Sequence, residues 1–288
     1  MAYPLISIVT PSFNQAPFLG KAMKSVLTQR YPHIEYMVMD GGSTDGSREI
    51  IERNADRLAY WRSEKDGGHA AAVADGLGRA TGEILGFLNS DDMLLPGALE
   101  AVATFFAKHP DIDAVYGHRV VIDADDVVTG VWVLPPHSDY LMMRWDLIPQ
   151  ETCFWRRRIF EKAGNIDPRR RFALDYDLFI RYMRAGRFAR LNRFLGAFRV
   201  HEDSKTTVDH ATIGKAEIAE IRSDFGLKVS ARQETIGSMF SAYVQLRSRR
   251  YVEGRGRRRP GAPTRAGYPI GELWGHLLDE VTPSSGVC

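Results

Sequence analysis

The chain has 288 residues, 44% hydrophobic and 26% charged, with 38 Lys+Arg against 36 Asp+Glu and a formal net charge of +2. That balance is ordinary for a soluble globular protein of one large domain, or one domain with an appendage, and by itself implies no polyanionic partner. Two distant cysteines, Cys153 and Cys288, exclude a disulfide framework and suit a reducing compartment; no apolar run approaches the ~20 residues of a membrane span, and no signal peptide is visible.

Residues 6–10 read as a first buried strand, broken by Pro11 and the polar turn Ser12-Phe13-Asn14-Gln15. Leu19, Met23, Val26 and Leu27 then recur at helical spacing. Residues 35–40 form a second strand ending in Gly41-Gly42-Ser43-Thr44-Asp45-Gly46-Ser47, and a helix follows over 48–53. A third strand near 58–63 gives way to Glu64-Lys65-Asp66-Gly67-Gly68-His69 and an Ala-rich helix over 70–80. The fourth strand, 84–88, stops at Asn89-Ser90-Asp91-Asp92. Adjacent carboxylates at the exit of a buried strand suit a divalent cation shared with substrate phosphates, and equally suit capping of the helix that Pro96 begins. Strands alternating with helices predict a parallel α/β sheet whose ligands bind beyond the strands' carboxyl ends. Thr10, Pro11, Asp40, Asp66, Asp91 and Asp92 then share one rim.

Beyond the helix over 96–108 the alternation changes. Residues 114–122 and 127–134 form a β-hairpin around Asp123-Ala124-Asp125-Asp126, and residues 153–200 carry twelve Arg and one Lys against four acidic residues. Asp175 and Asp177 sit on one helix about 200° apart, so they cannot share a site. A strand over 189–200 delivers Arg199 and His201. Residues 213–225 read as helix, and 233–251 as an amphipathic helix with Ile236, Met239, Phe240, Tyr243, Val244 and Leu246. An Arg cluster follows (Arg247, Arg249, Arg250, Arg255, Arg257, Arg258, Arg259), then a Pro/Gly-rich tail with a candidate helix over 273–281.

Five stretches in register resemble the family 2 glycosyltransferases: Ser7-Ile-Val-Thr-Pro-Ser-Phe-Asn-Gln15, Asp40-Gly-Gly-Ser-Thr-Asp-Gly-Ser47, Ser63-Glu-Lys-Asp-Gly-Gly68, Ala80-Thr-Gly-Glu-Ile-Leu-Gly-Phe-Leu-Asn-Ser-Asp-Asp92 and Asp175-Tyr-Asp-Leu-Phe-Ile-Arg181. The resemblance covers roughly residues 5–205. It implies a GT-A fold, with a nucleotide-sugar-binding half (1–112) and an acceptor-binding half (113–228), followed by an extension (229–288). It also implies inverting transfer from a nucleoside diphosphate sugar to a saccharide or lipid-linked acceptor, in polysaccharide, O-antigen or glycolipid assembly at the inner face of the membrane.

Carried over by position, Asp92 is the last Asp of the family's Asp-x-Asp motif and binds Mg2+ or Mn2+, joined by His201, while Asp91 reaches the ribose or the metal. Ser90 at the first motif position departs from the strict pattern. Asp40 hydrogen-bonds the nucleobase, Thr10 and Pro11 line the base pocket, and Asp66 faces the nucleoside. Asp175 is the general base, with Leu174 standing where the family often has Glu. Arg199 and Lys205 are candidate phosphate clamps; Gln150, Glu151 and Trp155 border the acceptor. The basic segment beyond Leu246 predicts peripheral contact with anionic lipid; no nucleic-acid-binding motif accompanies it. The competing classes are a nucleotidyltransferase that makes nucleotide sugars, whose Gly-rich N-terminal signature is missing, and a non-catalytic sugar-nucleotide-binding protein, disfavoured by Asp92 and Asp175.

Overall fold

The computed structural model describes residues 3–202, 213–252 and 270. A nine-stranded sheet organises them. In its first half, β1 (Ile6–Ser12) lies between β2 (Ile34–Asp40) and β4 (Ile84–Phe87), with β3 (Tyr60–Ser63) outside β2, and all four strands run parallel. In the second half, β8 (Cys153–Arg156) joins β4 antiparallel to β6 (Ala114–Ile122). Next comes β9 (Phe188–Arg199), parallel to β6, and then the short β5 (Met93–Leu94); β7 (Val128–Trp132) pairs with β6 as a hairpin.

Period-2 alternation sorts the buried strand residues onto two faces. Ile6, Ile8, Tyr36 and Val38 pack under α1 (Ala16–Leu27), α2 (Ser47–Glu52) and α4 (Ala98–Lys108). Val9, Met37 and Met39 pack under α3 (His69–Arg79) and the later α7 (Leu174–Ala185). Helix α3 lies so close to β1 that a methyl group on Gly76 would sit 2.4 Å from a Val9 methyl. Gly76→Ala therefore has to push helix from strand; a loss of ~1–3 kcal/mol is expected for such overpacking, read as a lower denaturation midpoint.

Several boundaries differ from expectation for local reasons. Strand β1 is not broken at Pro11: it continues to Ser12, because β4 pairs only as far as Val9 and the missing Pro N–H falls where that neighbour has ended. The short helix α5 (Asp139–Trp145) has little periodicity to announce it. Helix α6 (Arg157–Ala163) and helix α8 (Lys215–Asp224) frame α7.

Helix α9 (Ala231–Val252) forms, but its packed face is not its apolar stripe. Ile236, Met239, Tyr243 and Leu246 are exposed, while Val244 is buried and Ser248 Oγ accepts the Val131 N–H at 2.9 Å. The helix covers β7, an edge strand with free backbone donors, and a small polar residue suits that task better than a large apolar one. Ile270 completes a third core with Val120, Val128 and Phe194, and its N–H reaches Asp126 O at 2.8 Å. Lys205, Arg255, Arg257, Arg258, Arg259 and the expected helix over 273–281 lie outside the described residues. Among the described residues no helix is long and apolar enough to cross a membrane.

Candidate functional site

Two cavities open at the carboxyl ends of the parallel strands. The first, about 560 Å³, is bounded by the β1 exit (Pro11 to Phe13), Gly41, Lys65, Asp66 and Asp91. The second, about 640 Å³, is bounded by Asp92, Arg119, Asp146, Gln150, Glu151 and Asp175. His69, Asn89 and Phe198 face both, and His69 Nε2 lies 2.9 Å from Asn89 Oδ1, so this side-chain pair is part of the shared wall.

The two neighbouring carboxylates part company at that wall. After β4 the chain turns on an Asp92 N–H to Asn89 O bond of 3.1 Å. Asp91 faces the first cavity, with Oδ2 3.2 Å from His201 Nε2. Asp92 faces the second and is 1% exposed; its Oδ1 accepts the Arg199 N–H at 3.0 Å. Burial first, then the charges of Asp91 and Glu151, push the Asp92 carboxyl well above the usual carboxylate range. A cation beside it would remove that penalty.

Arg199 is fully buried and committed. Its Nε donates to Asp91 O at 2.8 Å, one Nη donates to Asp123 O at 2.8 Å, and the other meets Asp126 Oδ1 at 2.6 Å. The expected phosphate clamp is thus an internal strut, since its donors are spent on the loops around the site.

Asp175 is the second residue of α7. No side chain of α7's own flank caps that helix. Glu217 of α8 accepts the N–H groups of Arg171, Phe172 and Ala173 at 2.6–2.7 Å instead, holding the helix start against the cavity. Burial raises the Asp175 pKa to about 6, against the pull of its own and the Tyr176 N–H and of Arg119. A carboxylate near pH 6 is ionised at neutrality yet basic enough to take a hydroxyl proton. Asp177 points elsewhere, to Arg181 at 2.9 Å and Arg170 at 3.7 Å. Glu151 is held by Arg119, whose guanidinium lies between the Trp132 and Phe198 rings.

Of the residues singled out from sequence, Pro11, Asp66 and Asp91 meet in the first cavity. Asp92, Gln150, Glu151 and Asp175 meet in the second. Four line neither: His201 bonds to Asp91 rather than Asp92, and three others lie deeper. Thr10 is buried, its Oγ1 accepting from Tyr36 Oη at 3.0 Å. Asp40 is also buried, and its carboxylate accepts Gly42 N–H, Ser43 N–H, Ser43 Oγ and Ser63 Oγ. That corrects the nucleobase expectation, because the turn that Asp40 closes uses its oxygens. Trp155 is corrected as well: it is 0% exposed and packs against Phe87, Phe179 and Tyr182 in the core.

His69, Arg119, Asp146 and Phe198 were not singled out. His69 follows Gly68, whose φ of +91° marks a turn that favours glycine, so the double glycine was the available signal. Asp146 has a left-handed backbone (φ 43°) after a helix with no sequence signature.

Residues 7–220 match the family model described as Glycosyl transferase family 2. An uncharacterized glycosyltransferase of Rickettsia typhi is 27% identical over 244 residues, covering 81% of this chain and 74% of that one. The structure is similar to that of S. aureus TarS residues 1–349 in complex with UDP-GlcNAc (TM-score 0.60, 19% identity, 75% of this chain and 66% of that chain). It is also similar to a mannosyltransferase from Pyrobaculum calidifontis in complex with GDP-Man and Mn2+ (TM-score 0.55, 18% identity, 84% and 81%). The shared architecture is the GT-A fold.

Proposed function

The chain belongs to glycosyl transferase family 2, and from that premise we propose that it moves a sugar from a nucleoside diphosphate donor in the first cavity to an acceptor hydroxyl in the second, inverting the anomeric carbon. The observation that carries this reading is the shared wall: Asp91 on the donor side, Asp92 and Asp175 on the acceptor side, with His69 and Asn89 between. Residues 1–112 then hold most of the donor site, 113–228 most of the acceptor site, and 229–288 are an extension. The related folds in complex with UDP-GlcNAc and with GDP-Man support a nucleotide sugar as donor.

On the donor side, the exposed Phe13 ring above Gly41 offers a stacking face for the base, and Asp66, with Oδ1 bonded to Gly68 N–H at 2.7 Å and Oδ2 3.9 Å from an Arg62 Nη, faces the nucleoside. On the acceptor side, Asp175 takes the hydroxyl proton. The oxygen pair forms the new bond to the anomeric carbon, and the electrons of the breaking sugar–phosphate bond leave with the diphosphate.

The residues fit a divalent ion bound together with the diphosphate. Asp92 is buried and short of positive charge, Asp91 lies one residue away, and His201 contributes an imidazole; hard oxygens with one nitrogen suit Mg2+ or Mn2+. Among the described residues no three acidic, His or Cys side chains converge as a ready-made cage, so the donor phosphates complete the set. When bound, the ion offsets the charge gathering on the departing diphosphate.

A saccharide or lipid-linked acceptor suits a protein that touches the membrane surface through its C-terminal basic segment, and the exposed stripe Ile236, Met239, Tyr243 and Leu246 just before it supports that contact.

The test has two parts. Incubation with UDP, GDP and dTDP sugars and simple glycosides is expected to release nucleoside diphosphate; release of pyrophosphate instead defeats the transferase reading. In thermal melts, at least one nucleoside diphosphate is expected to raise Tm more with Mn2+ than without it, and equal shifts for all three would remove the ion from the account.

A further inference from the structure

The second cavity carries more acid than its chemistry requires. Besides Asp92 and Asp175 it is lined by Asp146 and by Glu151, the latter neutralised by Arg119. Asp146 is held in place deliberately. It ends α5 in a left-handed conformation (φ 43°, ψ 60°), which costs strain in most residues but is tolerated by Asp and Asn. The preceding turn is tied down from two sides: Tyr176 Oη donates to Met143 O at 2.5 Å, and an Arg222 Nη donates to Arg144 O. Tyr176 adjoins Asp175, so one element fixes both carboxylates.

Among the described residues Asp146 has neither an ion pair within 4.0 Å nor a hydrogen bond to its carboxylate. The positive charges it feels are Arg119 and Arg222, and each is bonded elsewhere. A second, independent polar group faces the same space. Gln150 is 6% exposed; its Nε2 donates to Phe87 O, while its Oε1 is buried with no hydrogen-bond donor. A buried amide oxygen without a donor costs stability unless a ligand supplies one. Ile148, Trp145 and Phe172 give the cavity an apolar side. Two acceptor groups and a basic carboxylate beside an apolar face match a ring that carries several hydroxyl donors on one side and C–H groups on the other.

Building on the donor and acceptor assignment above, we propose that Asp146, with Gln150, selects the acceptor: it binds a hydroxyl of a neutral or amino sugar next to the one Asp175 deprotonates, and rejects acidic sugars. A uronic acid would bring a further carboxylate beside Asp146 and Asp175, and burial together with the charge of Asp175 already pushes the Asp146 carboxyl well above the usual carboxylate range. The cation that is not committed within the cavity wall, Lys215, is exposed at its rim.

Matched methyl glycosides that differ only at C6 test this directly: glucoside against glucuronide, and galactoside against galacturonide, titrated by ligand-observed NMR. The wild-type protein is expected to bind the neutral member of at least one pair about tenfold or more tightly than its uronide. Asp146→Asn keeps the left-handed residue's tolerance and removes a carboxyl that burial disfavours, so a Tm at or above the wild type is expected. It should weaken the neutral glycoside about tenfold and shrink the gap to within about threefold. Equal binding of neutral and acidic members by the wild type, or no change in Asp146→Asn, overturns the assignment. Nucleoside diphosphate release is scored separately on the same wild-type preparation: its absence defeats the transferase reading, while the binding preference still decides this one.

Discussion

Asp175→Asn is expected to lower kcat by about 10³-fold while nucleoside diphosphate binding stays at its wild-type strength. The substitution preserves shape and the bond from the Tyr176 N–H but removes the proton acceptor. The pH profile carries the same signature. With the Asp175 pKa near 6, wild-type kcat/KM should rise with unit slope up to about pH 6 and then level, whereas the residual activity of the Asn variant should lack that limb.

Stability moves the other way. A carboxyl raised in the folded state binds its proton more tightly there than when unfolded, so folding loses stability as pH climbs from about 4 to about 6, and the loss persists at neutrality. Asn has no charge to bury, so the variant should melt at or above the wild-type Tm at pH 7.5. Retained kcat would end the assignment of Asp175 as base; a lowered Tm with lost nucleotide binding would show that it holds the fold instead.

The second large effect belongs to Arg199. Replacing it with Met leaves Asp126 with only Lys21, deprives Asp91 O and Asp123 O of donors, and removes a buried charge from a matched set. A cost of ~3–5 kcal/mol is expected in chemical denaturation. Arg199→Lys should recover less than half of it, because an ammonium cannot reach three acceptors in a planar fork. The Met variant should also weaken the Mn2+-dependent part of nucleotide stabilisation, since the Arg199 Nε fixes the Asp91 backbone, while the main-chain N–H of residue 199 still holds the Asp92 carboxylate. A Met variant that unfolds at the wild-type midpoint would mean the strut carries no load.

The first half of the sheet is legible in the sequence because each strand runs out into a polar turn carrying Gly, Pro, Asp or Asn at the carboxyl end of a parallel strand. The same rule places Pro11, Asp66, Asp91 and Asp92 on one rim. What residue type and spacing do not encode is where a side chain spends its hydrogen bonds. Asp40 and Asp66 stand at equivalent strand exits, yet Asp40 closes its own turn with Ser43 and Ser63, while Asp66 opens onto the cavity. Trp155 looks like a sugar platform in sequence, but β8 pairs on both edges and turns that ring into the core. Arg119 and Asp146 escape notice for a different reason. One is an inward residue of a hairpin strand that β9 brings beside Asp92, and the other ends a two-turn helix that Tyr176 and Arg222 hold in place.

That crossing also sets a schedule. The amide that holds Asp92 belongs to Arg199, 107 residues later in the chain. At ribosomal speeds of roughly 5–20 residues per second the delay is about 5–20 s. Throughout that interval the first half of the sheet has all four of its parallel strands, but the Asp92 carboxylate lacks that amide. The Asp92 carboxylate therefore gains its anchoring amide only once β9 lies between β6 and β5.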